Sequence, residues 1–186
     1  VALRADEHEN IRRDTAVFGA LFRQVKETFL HRDESKHGMW PWKEACRQFH
    51  EYDSPMLALV SEDDKGRIRR SDPEYVERAI CYLEVDPLYF RSGYTKAKLI
   101  NCLKWVRLTP WQQARLRKVV LDVIDSHFRT EFRAYCRLAA HVQTEEFTAS
   151  VRDRAAGPDQ GVRERAAFLL KQLEQHNRTR AGLGRS

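Results

Sequence analysis

Four dipeptides in the chain pair a short polar residue with proline: Ser54-Pro55, Asp72-Pro73, Asp86-Pro87 and Thr109-Pro110. A side-chain oxygen of this kind accepts hydrogen bonds from the unpaired amides of a first helical turn. Proline at the next position loses nothing, because its missing N–H had no partner there. Each pair therefore predicts a helix start. Gln112 follows Thr109 at the three-residue spacing of a reciprocal capping box. Alternating strand patterns are missing, and no Asn-Gly or Asp-Gly dipeptide occurs to close a hairpin. The expected fold class is all-α.

Apolar periodicity places the helices. Ile11, Phe18, Leu21, Phe22, Val25 and Phe29 form one stripe over residues 7–32. Further helices are expected over 41–52, briefly after Ser54, after Asp72, and over about 94–107, 110–126, 129–142, 145–156 and 160–175. The polar run Glu62-Asp63-Asp64-Lys65-Gly66 reads as a turn, and Asp86-Pro87 as the start of a short helical turn that Gly93 ends. The organisation expected is a single α-helical domain over 1–176, followed by a disordered basic tail over 177–186.

With 186 residues and 42% hydrophobic content the chain can bury one sizeable core. No stretch approaches the roughly 20 apolar residues of a membrane helix. The first residues lack the apolar run of a secretory signal. Cys46, Cys81, Cys102 and Cys136 are scattered among apolar helical residues and read as free thiols, so the expected compartment is the reducing cytoplasm. Charge is unevenly spread. Residues 1–93 carry 15 Lys/Arg against 18 Asp/Glu, and residues 94–186 carry 18 against 9. Such a split can focus a positive field on one part of the surface.

The segment TEEFTASVRDRAAGPDQGVRERAAFLLKQL, residues 144–173, resembles one HEAT repeat. The match lies in the turn Gly157-Pro158-Asp159, the Val162-Arg163 step, and the run Ala166, Ala167, Leu169, Leu170, Leu173. Glycine at 157 is free to leave a helix with positive φ, and Asp159 can cap the next one. The resemblance implies antiparallel helix hairpins stacked as a short HEAT-like solenoid, with an irregular helical bundle as the alternative. One repeat cannot bury its own face, so neighbours must stack on it. What the resemblance implies in function is a scaffold for binding, and it assigns no chemistry.

Catalytic signals are sparse. The seven histidines show no zinc-protease or zinc-finger spacing. Cys46 and His50 share a helix face but lack further ligands, so no metal and no cofactor is expected. Asp122 and Asp125 read as solvated charge, with Lys118 spaced to pair with Asp122. No catalytic residue is assigned.

Binding signals are clearer. Arg129, Arg133 and Arg137 recur every four residues opposite the stripe Phe132, Tyr135, Cys136, Ala139, Val142. Arginines in register suit carboxylate or phosphate recognition through their planar forks, the alternative being salt bridges to an adjacent helix. On the preceding helix Lys98, Asn101 and Trp105 gather opposite Leu99, Ile100, Leu103 and Val106, where the indole is either a platform or a packing contact. The expected function is non-enzymatic: a basic C-terminal surface that binds an acidic protein. The alternative is DNA or RNA binding, including resemblance to HEAT-like alkylpurine glycosylases. That resemblance would require an acidic residue beside the nucleotide, and the sequence assigns none. A homodimer is a third option.

Overall fold

Three of the four polar–proline pairs begin helices. The computed structural model describes residues 2–34 and 39–183. Within them lie ten helices: α1 (Ala2–Leu30), α2 (Met39–Glu51), α3 (Pro55–Ala58), α4 (Glu62–Arg69), α5 (Pro73–Val85), α6 (Ser92–Leu103), α7 (Pro110–Asp125), α8 (Phe132–Val142), α9 (Glu145–Ala155) and α10 (Gln160–Leu183). Ser54 caps α3 by accepting from Leu57 N at 3.2 Å, and Asp72 caps α5 by accepting from Glu74 N at 3.2 Å. Thr109 and Gln112 close the capping box of α7 with bonds of 3.3 and 3.0 Å.

Asp86-Pro87 departs from the pattern. Asp86 ends α5 instead of starting a helix: it adopts φ 53° and donates its N–H to Tyr82 O at 3.1 Å. A left-handed non-glycine residue costs about 1–2 kcal/mol, and here the Asp86 side chain gains charged contacts described below. The run 62–66 also departs: it is the first part of α4, not a turn. Ser61 caps it, Glu62, Asp63 and Asp64 fill the first turn, and Arg67 and Arg69 the last, so each charge complements the helix dipole. Buried Ile68 then fixes α4 to the core.

The chain stacks in hairpins. α5 pairs with α6, α7 with α8, and α9 with α10; α6 packs on α8, α8 on α10, and α5 on α7, with α1 laid along α5. The all-α class is as expected, and the stacking is compatible with a helical repeat. Leu83, Leu99, Leu103, Leu116, Ile124, Leu138 and Leu169 join one continuous core that runs from Ile11 to Leu173. In the α9–α10 hairpin Asp159 caps α10 as expected, its carboxylate accepting from Val162 N at 2.7 Å. Gly157, in contrast, has no positive φ; it follows the right-handed cap Ala156 and donates to Arg154 O. α10 continues to Leu183, so residues 177–183 are helical where a disordered tail is expected. Gln143 fastens that extension by donating to Asn177 Oδ1 at 2.8 Å. Residues 184–186 lie outside the described residues.

Candidate functional site

α6, α8 and α10 are parallel, because each is the second helix of its hairpin. Their C-terminal ends converge on a groove of about 550 Å³ lined by Lys104, Trp105, Arg137, His141, Gln175 and His176, among others. Trp105 is 72% exposed, so the indole is not packed against a neighbouring helix. The Lys104 ammonium lies 5.4 Å from its ring centroid, a cation–π contact that holds the indole in place. Arg137 is exposed in the middle of α8, and among the described residues it meets no carboxylate at ion-pair distance. Cys136 and Ala140 form the floor. Burial pushes the Cys136 thiol up to about 12, which leaves it without the thiolate a nucleophile needs. No Asp or Glu of the described residues lines the groove. Its electrostatic character is therefore set by fixed cations beside an aromatic face.

The six residues singled out in the sequence do not form one patch. Trp105 and Arg137 meet in the groove. Arg133 is exposed one turn earlier on α8 and lines the next cleft along α8 and α10, with Phe128, Phe132 and Phe168. Asn101 is half-buried. Lys98 is exposed on the side of α6 that faces α4, where its charge, after the bond from Lys65, helps hold the Glu62 carboxyl below its usual range. Arg129 leaves the row altogether. It precedes the start of α8 at Phe132, so helical spacing does not govern it, and its side chain is only 8% exposed against Asp86.

Arg129 belongs to a buried ionic cluster not anticipated from the sequence. Lys96 is fully buried, with its ammonium 2.6 Å from Asp86 and 3.7 Å from Glu131. The first contact is ionic more than directional, since Lys96 Nζ has no well-aligned hydrogen bond. Arg129 donates to the same Asp86 carboxylate and to Ser126 Oγ. Burial alone would lower the Arg129 guanidinium, but the bond to Asp86 outweighs it and keeps the cation charged. Gly93 leaves room for Glu131: a Cβ there would stand 2.7 Å from Glu131 Oε2. The sequence signal for Lys96 is its place three residues before Leu99 and four before Ile100, on the core stripe of α6. The cluster ties the loop 86–91 to the loop 126–131.

A second charged cluster joins α1, α5 and α7. Buried Arg115 donates to Glu84 at 2.8 and 2.7 Å and also to Glu77, while Arg4 and His8 reach Glu84 from α1. His8, Cys81 and Glu84 bring potential ligand atoms within 4.8 Å of one another. The Glu84 carboxylate is already taken up by three cationic or ring donors, however, and burial pushes the Cys81 thiol up to about 12. That geometry makes a strut between helices. Asp122 pairs with Lys118 at 2.7 Å as expected, whereas Asp125 accepts from Nε and Nη2 of Arg154, each at 2.8 Å, instead of being simply solvated.

No protein-family model, curated protein or solved structure matches the chain. Among the described residues no helix is long and apolar enough to cross a membrane. The groove and its charges carry the functional reading.

Proposed function

We propose that this chain is a short HEAT-like helical scaffold that binds an acidic protein segment in the groove between Trp105 and Arg137. The observation that carries the reading is the groove's lining: exposed Arg137 and Trp105 with Lys104 beside them, and no acid among the described lining residues. An arginine fork donates two parallel hydrogen bonds to a carboxylate, and an exposed indole supplies the rigid contact area typical of binding hot spots. Arg137 sits mid-helix, so dipole compensation at a helix end does not account for it.

A protein partner is favoured over nucleic acid by the number of fixed cations. Lys104 and Arg137 are the permanent charges of the groove, whereas salt-sensitive duplex binders engage roughly 6–10 phosphates. The test is fluorescence anisotropy of a labelled oligoglutamate peptide against the whole chain, with labelled duplex DNA in parallel. The peptide should bind and the Arg137→Glu protein should bind it at least about tenfold more weakly, a difference of ~1.4 kcal/mol. Binding unchanged by that reversal, or a stronger and more salt-dependent response to DNA, would overturn the reading.

A further inference from the structure

We infer that the Trp105–Arg137 groove is one end of a longer trough between α8 and α10, and that its occupant is a partner helix, acidic at one end and armed with bulky apolar side chains at the other. The inference rests on the proposed function for the acidic end and adds the apolar end and the helical form.

The trough follows from register. At the N-terminal end of α8, Arg133 shares a cleft of about 420 Å³ with Glu164, Arg165 and Phe168 of α10. At its C-terminal end, Arg137 and His141 share the groove with Gln172, His176 and Thr179. The two helices thus run in the same direction, and the residues of α10 that face the trough recur every three or four positions, apart from the stripe Ala166, Leu169, Leu173 that enters the core. From Glu164 to Thr179 the trough is about 22 Å long at 1.5 Å per residue, the length of a helix of about 16 residues. Ridges at three- and four-residue spacing are the surface into which the anchors of a docked helix fit.

The apolar end is an inversion of normal patterning. Lys96 is wholly buried, while Phe128 of the loop 126–131 stands 71% exposed and lines both the trough's end and an adjoining cleft, where Leu88 and Phe90 of the loop 86–91 and Tyr94 of the first turn of α6 stand 62, 46 and 72% exposed. The Asp86–Arg129 and Asp86–Lys96 contacts clamp those loops together, and Phe90 stacks on Phe22 at 4.7 Å, so the aromatic display is held in one arrangement before any partner arrives. Phe128, Phe132 and Phe168 form a file of rings with centroids 6.5 and 6.1 Å apart along the cleft wall. An exposed apolar surface of this kind, rimmed by charge, marks an interaction site. Arg133 and Arg165 outnumber Glu164 around this cleft and disfavour a cationic occupant, in keeping with the acid-binding groove at the other end. The aromatics flank clefts into which side chains can insert, an arrangement suited to protein anchors more than to a lipid surface.

The test is a selection of displayed random peptides of about 16 residues, the trough's length in helix, against the whole chain. Enriched peptides should carry two or more Leu, Phe or Trp residues at i, i+3 or i+4 spacing near one end and Asp or Glu near the other, and should gain helical circular dichroism when bound. Phe168→Glu and, as a milder surface change, Phe128→Ser should each weaken them at least about tenfold, ~1.4 kcal/mol, and so should Arg137→Glu. Enriched peptides that are acidic but lack the apolar pair, or that ignore both phenylalanine variants, would overturn this inference and leave the proposed function standing. Failure of enrichment together with failure of oligoglutamate to bind would remove both. Dimerisation of the chain abolished by Phe128→Ser, or flotation with phosphatidylserine vesicles abolished by it, would assign the apolar end to a different occupant and overturn the inference.

Discussion

The Lys96 ammonium stands 2.6 Å from the Asp86 carboxylate with its side chain wholly shielded from solvent. Removing one partner of a buried ion pair leaves the other uncompensated, at a cost of about 3–5 kcal/mol. Arg129 remains beside Asp86 and softens that loss. Lys96→Met, similar in volume, is expected to lower stability by about 3 kcal/mol in urea unfolding, and to loosen the loops 86–91 and 126–131 in hydrogen exchange. An unchanged midpoint would mean that the cluster adds nothing to stability.

Asp14 is buried in α1 and accepts from Tyr52 Oη at 2.6 Å, Ser54 Oγ at 2.7 Å and Met56 N at 2.8 Å. Asp14→Ala would orphan three donors at once and is expected to cost about 2–4 kcal/mol by thermal or urea unfolding. Burial first, and Asp14 second, push the Tyr52 phenol up to about 12. In Asp14→Asn that phenol should therefore ionise at lower pH, which an absorbance titration would detect.

Acid should weaken the α1–α5–α7 strut. Burial raises the Glu84 carboxyl, but bonds from Arg115 and His8 and the charge of Arg4 outweigh it and hold Glu84 below its ordinary value of 4.5. A carboxyl depressed on folding contributes stability that is fully present above the unfolded value and is lost as pH falls through the folded one. Urea midpoints should thus fall below about pH 4.5, and Glu84→Gln should be less stable at neutral pH with a shallower acid limb. An unaltered acid limb in that variant would contradict the assignment.

Thiol chemistry should single out Cys46, which is half-exposed while Cys81, Cys102 and Cys136 are buried. Burial raises all three buried thiols, Cys81 and Cys136 up to about 12. A disulfide reagent at neutral pH should label one site rapidly and the others only as the protein unfolds. Cys46→Ser should abolish the fast phase.

Local chemistry is the most legible part of the chain. Ser54, Asp72 and Thr109 cap helices because a cap is decided within four residues. Asp86 is the instructive exception. Its neighbours permit a helix start, but long-range contacts with Lys96 and Arg129 hold it in a left-handed cap, and nothing adjacent in sequence announces them. Residues 62–66 look like a turn by polarity alone; Ser61 and the distribution of charge along α4 are what make them helical. At the candidate site, Arg137 is recoverable from sequence because it projects from α8 away from the core stripe, and Trp105 because the turn just past the end of α6 keeps it clear of that stripe. Arg129 is not, because four-residue spacing carries no meaning before the start of the helix at Phe132. The histidines and glutamines of the groove come from α8 and α10 together, and only the stacking of hairpins brings them beside Trp105.

The Lys96–Asp86–Arg129 joint has a mechanical consequence. Arrays of helical repeats commonly melt from one end, unit by unit, because each unit touches only its neighbours through apolar faces. Here the joint spans the α5–α6 and α7–α8 hairpins, whereas α9 meets α7 through the more exposed Arg154–Asp125 pair. Fraying either hairpin at the Lys96 joint strands charge inside its neighbour, so α5 to α8 should yield as one block under load instead of peeling apart.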